Sequence, residues 1–248
     1  MKTKTVLIVG ATSGIARELA RQFARRKYAL ILAARDGDEL ETVAADLRVR
    51  YAAEISVQLF DATNYRTHGA FWKRCLAACD DDLHGIIVCV GSLSPQEEAA
   101  GDWAASRAMI DANYTSCVSV LNLAANYFEI RGRGFIAALS SVAGDRGRAS
   151  NYIYGSAKSG LNVYLQGLRQ RLAKSRVSVT TVKPGPVDTG MTWGLDKLPL
   201  LAPPEKIAAD VFRAIRRRQS VVYSPAPWKL IMAILRAIPE SVWKKISL

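Results

Sequence analysis

Short apolar runs alternate along the chain with longer stretches in which apolar positions recur every three or four residues. The short runs, at 5–9, 29–33, 55–60, 85–90, 134–139, 177–182 and 220–223, are predicted as strands. The longer stretches, at 15–26, 38–49, 67–79, 104–130, 154–174 and 204–217, carry the helical period. The strand runs are almost continuously apolar, as burial on both faces of a sheet requires. Strand alternating with helix predicts an α/β fold: a doubly wound, mostly parallel seven-stranded sheet with helices on both faces. No repeat or linker interrupts residues 1–225, which are expected to form a single domain. Residues 226–248 read as an amphipathic tail, with Trp228, Ile231, Leu235 and Ile238 on one side and Lys229, Arg236 and Lys244 on the other.

Composition narrows this picture only a little. The chain has 248 residues, half of them hydrophobic, enough for one substantial core. Its net charge of +12 suits anionic ligands, an anionic membrane surface or simply a basic enzyme. The run Arg216-Arg217-Arg218 reads as a solvated helix end, where cations complement the dipole, and no nucleic-acid partner is expected. Cys75, Cys79, Cys89 and Cys117 form no C-x-x-C pair, so buried free thiols are expected rather than metal ligands. The opening MKTKTVLIVG reads as a strand, not a leader, and no stretch approaches the ~20 apolar residues of a membrane span.

Ligands in doubly wound folds bind beyond the carboxyl ends of the strands, so the residues after each apolar run are the candidates. After the first run come Gly10, Ala11, Thr12, Ser13, Gly14, Ile15 and Ala16. Glycines there turn the chain sharply and let a pyrophosphate approach the backbone, while the next helix offers free N–H groups. The third position of such loops serves helix–strand packing, which alanine tolerates. Arg35 ends the second run, where it suits a 2′-phosphate and so favours NADP(H); Asp36 beside it keeps NAD(H) open. Asp61 and Ala62 follow the third run on the adenine side, and Gly91 follows the fourth. After the fifth stands Ser141, and further on Tyr154 and Lys158, an i, i+4 pair that shares one helix face. A free tyrosine titrates near 10, and a neighbouring ammonium favours its phenolate, so such a pair can exchange a proton near neutral pH. A serine hydroxyl held close can polarise a carbonyl.

On these residues the chain resembles the short-chain dehydrogenase/reductase family over almost its full length. The family's G-x-x-x-G-x-G loop matches at Gly10 and Gly14, with Ala16 in the third place. Its Ser, Tyr and Lys match Ser141, Tyr154 and Lys158, and its active-site asparagine matches Asn113. Its Pro-Gly turn matches Pro184 and Gly185, followed by Val187 and Thr189 on the cofactor side. The Asn-Asn-Ala-Gly stretch is a departure, reading Val88-Cys89-Val90-Gly91. The resemblance implies a Rossmann-like fold, a nicotinamide cofactor, hydride transfer at a carbonyl or alcohol, and a homodimer or homotetramer. It implies that Tyr154 is the acid–base group, Lys158 its partner and a ribose ligand, Ser141 the group orienting the carbonyl, and Asn113 a support for a proton path.

For the substrate, Arg146 and Arg148 lie between Ser141 and Tyr154 and suit an anionic compound, although both equally fit a solvated loop. Residues 187–204 have the length of a lid, with Met191 and Trp193 as candidate apolar contacts. The tail and the SVAG and PGPVDTGM stretches are similar to one subgroup, the reductases of polyprenylphosphoryl-2-keto-pentoses (the decaprenylphosphoryl-2-keto-erythro-pentose type). That similarity implies a small or lipid-linked carbonyl substrate and a cytoplasmic protein with peripheral contact at the inner membrane face. The tail is left with three candidate roles: membrane contact, a partner subunit, or cover for the protein's own pocket.

Overall fold

A computed structural model of the chain describes residues 3–194 and 198–246. Seven parallel strands form one sheet in the order β3-β2-β1-β4-β5-β6-β7. They are β1 (Thr5–Val9), β2 (Ala29–Ala34), β3 (Ile55–Leu59), β4 (Leu83–Val88), β5 (Phe135–Leu139), β6 (Ser178–Pro184) and β7 (Val221–Ser224). The helices are α1 (Gly14–Ala24), α2 (Gly37–Tyr51), α3 (His68–Ala77), α4 (Gln96–Gly101), α5 (Trp103–Ile110), α6 (Ser116–Arg131), α7 (Tyr152–Arg171), α8 (Pro204–Arg216), α9 (Pro227–Ala237) and α10 (Glu240–Trp243). All seven strand expectations hold, with ends displaced by one or two residues. This is the Rossmann-like, doubly wound architecture the alternation predicts.

The central strand shows why the pattern was so apolar. Val6 and Ile8 of β1 belong to the core shared with α1, α2 and α8, whereas Leu7 and Val9 belong to the core shared with α3, α6 and α7. Successive side chains of a strand point to opposite faces, and here both faces are covered. The winding direction changes between β1 and β4, so the loops after these two strands part and leave a crevice. All four cysteines are buried and free, and burial pushes the Cys75 thiol up to about 12.

Two helical expectations need correction. The stretch 104–130 is not one helix: a π-helical turn, Asp111–Thr115, separates α5 from α6. Asn113 Nδ2 donates to Met109 O at 2.9 Å, the carbonyl that its own backbone N–H would use in a regular α-helix. α4 was not anticipated, although Pro95 followed by Glu97 and Glu98 is a helix-start signal.

Asp210 of α8 sets where the tail departs. Its Oδ2 accepts from Ser224 Oγ (2.7 Å) at the end of β7 and from Lys206 Nζ (2.5 Å), and its Oδ1 from Arg213 (3.1 Å). Burial acts to raise this carboxyl, but Lys206, Ser224 and Arg213 outweigh it and hold it below the usual range. A depressed folded-state value contributes stability that is present above about pH 4 and lost as pH falls through the folded value. Asp210→Ala strips buried Ser224 of its acceptor and is expected to cost about 1–3 kcal/mol. The check is the urea midpoint at neutral pH and again in acid, where the difference from wild type should shrink.

Candidate active site

The crevice between the loops after β1 and β4 is closed at its base by glycine. Gly10 has φ +81°, and a β-carbon there would stand 2.9 Å from the backbone C and O of Cys89. Gly14 begins α1, and its absent side chain makes room for Thr189, whose methyl would be 3.0 Å from a β-carbon. Ser13 caps α1, its Oγ accepting from Ala16 N at 3.4 Å, and Ala16 itself is fully buried in the core. Arg17 Nε donates to Thr12 O at 2.9 Å and also pairs with Glu39, which ties the loop to α2. Ile15 packs on the core beneath. The result is a rigid turn with the N-terminus of α1 behind it, a geometry suited to an anionic group.

At the next strand end Arg35 is exposed, while the Asp36 carboxylate accepts from Glu39 N at 2.9 Å as the cap of α2. The two neighbours therefore differ in availability: the carboxylate is engaged by a helix end, and the guanidinium projects. Asp61 accepts from Thr63 N and Oγ1 at 2.9 and 2.8 Å. Those bonds, aided by the nearby Arg35 charge, hold its carboxyl below the usual range. Ala62 is half-buried beside it, and buried His68 fixes the turn through Asp61 O at 3.0 Å. The missed signal was His68, a helix-start histidine with no motif around it.

Three predicted residues meet at Gly91. A β-carbon there would stand 2.7 Å from Asn113 Oδ1 and 3.2 Å from Lys158 Nζ. Lys158 is 3% exposed, donates to Leu139 O at 3.1 Å, and lies 5.7 Å from the Tyr154 ring centre. Asn113 is fully buried, and its Nδ2 also donates to Ser92 O at 2.7 Å. Its Oδ1 has no hydrogen-bond partner among the described residues. The π-helical turn is what aims that carbonyl oxygen at the cleft.

Ser141 joins them through close backbone packing. A β-carbon on Gly155 would stand 2.9 Å from Ala143 O, and one on Gly144 would stand 2.7 Å from Lys158 C. These two glycines let the loop after β5 lie directly on α7, whose first turn carries Tyr154. Ser141 Oγ accepts from Ala143 N at 3.1 Å, which shapes that loop. A half-buried phenol with an ammonium one turn along is suited to exchanging a proton, and the Ser141 hydroxyl lies on the loop packed against the same helix.

A second set of residues, not singled out from the sequence, holds this loop from behind. Asp145 takes Lys183 Nζ at 2.5 Å on Oδ1 and Tyr223 OH at 2.7 Å on Oδ2. Burial, then the Asp145 charge, pushes the Tyr223 phenol up. Pro184 ends β6, and Gly185 lies against the indole of Trp228, where a β-carbon would collide with Nε1 at 2.0 Å. Trp228 and Met232 of α9 pack on Val142 of the catalytic loop. The tail's inner face thus packs on the loop after β5 and on Gly185, a placement that fits the last of the three candidate roles. Arg146 is drawn into this packing, paired with Glu240 at 2.9 Å, donating to Arg236 O and stacked on Trp243 at 4.8 Å. It is engaged by the tail, so of the two arginines only Arg148 remains as a substrate candidate.

The lid region is pinched at its neck. Val187 bridges Ala202, Asp188 N donates to Ala202 O at 2.9 Å, and Ala202 N donates to Pro186 O at 3.1 Å. Thr189 and Thr192 bond within this turn. Met191 and Trp193 are exposed, and part of the stretch, 195–197, lies outside the described residues.

Known proteins share this arrangement. A short-chain dehydrogenase of Sphingobium yanoikuyae, solved in complex with NADPH, superposes with a TM-score of 0.83 at 26% identity, covering 96% of this chain and 97% of that one. An uncharacterized oxidoreductase of Mycobacterium tuberculosis is 35% identical over 97% of this chain and 96% of its own. One of Streptomyces coelicolor is 31% identical over 98% and 96% respectively. The sequence profile of the short chain dehydrogenase family matches residues 4–198, which contain the glycine turn, Asn113, Ser141, Tyr154 and Lys158. With fold, relatives and profile agreeing, the chain belongs to the short-chain dehydrogenase family and is an oxidoreductase.

Proposed function

We propose that the protein is an NADP(H)-dependent reductase that converts a carbonyl to an alcohol, or the reverse, on a keto-sugar carried by polyprenyl phosphate. The observation that carries the reaction is the meeting of Asn113 Oδ1 and Lys158 Nζ at Gly91, beside Tyr154. The orphaned Asn113 oxygen and the side-chain-free Gly91 fit a bound dinucleotide and the water that accompanies it. Gly10, Thr12, Ser13, Gly14 and Ile15 would hold its pyrophosphate, Arg35 its 2′-phosphate, and Asp61 and Ala62 its adenine side. Gly91, Pro184, Gly185, Val187 and Thr189 would line its nicotinamide end, with Lys158 on the ribose. The nicotinamide supplies or accepts the hydride. Tyr154 then gives its phenolic proton to the carbonyl oxygen, Ser141 Oγ donates to that oxygen, and Lys158 and Asn113 connect Tyr154 to solvent for reprotonation. The similarity of the tail to the keto-pentose reductases supports the lipid-borne substrate. So do Leu230 and Ile234, which are exposed on the outer side of α9 near Lys229 and Arg236. The same face fits peripheral contact with an anionic membrane from the cytoplasmic side, and the resemblance fits a homodimer or homotetramer.

The substrate reading is tested by NADPH consumption with a polyprenylphosphoryl keto-pentose in micelles, together with sedimentation on anionic liposomes. Failure of both would remove the lipid-borne substrate. For the cofactor, Arg35→Asp deletes a charge-assisted contact worth about 1.5–3 kcal/mol. NADPH affinity is expected to fall roughly 10- to 150-fold while NADH affinity holds or improves. Unchanged discrimination in a Kd comparison would leave Arg35 without this role.

A further inference from the structure

The turn that opens α7, and α4 bonded to it, carry buried polar atoms that have no partner among the described residues: Arg148 Nε, Asn151 Oδ1 and, from α4, Gln96 Nε2. Their surroundings are otherwise well made. Asn151 N donates to Arg148 O at 3.2 Å, and Gly155 N donates to Asn151 O at 2.8 Å. Gln96 Oε1 accepts from Ile153 N at 3.2 Å, which fixes the orientation of its amide and leaves the NH2 as the free end. Ile153 directly precedes Tyr154 and Asn151 lies three residues before it, so this turn adjoins the proposed proton-transfer group.

Arg148 differs from its neighbour in kind. Arg146 is satisfied by Glu240, Arg236 O and the Trp243 ring. Arg148 forms no ion pair among the described residues, and burial alone pulls its guanidinium below the usual range. A half-buried cation and unmatched buried polar atoms cost stability unless water or a ligand completes them, and a ligand that matches them gains what they lack. Here two are donors and one an acceptor, a set complementary to an anionic oxygen with a hydroxyl close by.

We propose that this turn is a substrate subsite: Arg148 and the Gln96 amide bind a phosphate or carboxylate oxygen of the carbonyl substrate, and Asn151 Oδ1 accepts from a neighbouring hydroxyl. The placement rests on the reductase reading, because Tyr154 marks where the carbonyl lies. The substrate class is therefore an anionic keto-sugar or keto-polyol, whether or not a lipid is attached.

The test is calorimetric binding to protein saturated with NADP+, which occupies the dinucleotide phosphate contacts. The probes are D-ribulose, D-ribulose 5-phosphate and 2-keto-D-gluconate. At least one anionic ketose is expected to bind about tenfold or more tighter than ribulose, in line with a charge-assisted contact. The stronger of the two names phosphate or carboxylate as the group. Arg148→Met should collapse that advantage, and Arg148→Lys should restore part of it. Gln96→Glu keeps the acceptor for Ile153 N but sets a carboxylate against the anion, and should also collapse it. An NADP+ affinity near wild type certifies each variant as folded. Equal affinity for ribulose and both anionic ketoses, binding of none of them, or an anionic advantage untouched by Arg148→Met and Gln96→Glu would overturn the subsite. Arg148-dependent binding without any NADPH oxidation would instead overturn the reductase reading and leave the subsite standing.

Discussion

Replacing Tyr154 by phenylalanine is expected to lower kcat by about 10³-fold or more, near the upper part of what positioned acid–base catalysis contributes. That factor corresponds to roughly 4 kcal/mol of transition-state stabilisation. The change removes one oxygen from a half-buried ring and leaves the ring packing and the Lys158 bond to Leu139 O in place. The proposed phosphate contacts of the glycine turn and Arg35 keep all their atoms, so NADPH affinity should change little. Steady-state kinetics with any accepted carbonyl, paired with a fluorescence titration of NADPH, separates the two effects. Turnover at the wild-type rate would dismiss Tyr154 as the acid–base group.

Gly10→Ala is expected to give a large loss of stability, because it combines backbone strain with crowding. The residue sits at φ +81°, a conformation that costs an L-residue about 1–2 kcal/mol. Its new methyl would also meet the backbone of Cys89 at 2.9 Å. That backbone cannot retreat cheaply, because Cys89 N donates to Val9 O at 2.7 Å at the sheet's central pair. Overpacking of this kind adds roughly 1–3 kcal/mol. The sum, about 2–5 kcal/mol, is a large share of the 5–15 kcal/mol that ordinarily holds a domain together. Gly14→Ala is the control. Its β-carbon meets only the Thr189 methyl at 3.0 Å, a side chain that can turn aside. Urea unfolding should therefore show a much lower midpoint for Gly10→Ala than for Gly14→Ala, and equal midpoints would contradict the crowding at Cys89.

The candidate catalytic residues could be picked out because their spacing is local. Tyr154 and Lys158 are one helical turn apart, and Ser141 and Gly10 each follow an apolar run by a residue or two. Asn113 was legible as a residue but not as a break, since apolar periodicity continues on both sides of it. The departure at Val88-Cys89-Val90-Gly91 had left the hydrogen bonding there open. The structure answers it in part: the Cys89 backbone is a wall against Gly10, and Gly91 faces Asn113 and Lys158.

From the sequence by itself came the seven strands, their parallel two-sided burial, the crevice at their carboxyl ends and the candidate residues around it. These follow from period and order along the chain, which encode which face of each element is apolar. Only the tertiary structure decided which of two arginines has an ion-pair partner among the described residues, that Asp36 caps a helix, and that the tail lies on the loop after β5. Those outcomes depend on contacts such as Asp145 with Lys183 and Tyr223, 38 and 78 residues away, and Arg146 with Glu240, 94 away. Hydrophobic periodicity carries no information about such pairings, because a charged side chain finds its partner only when packing brings the two elements together.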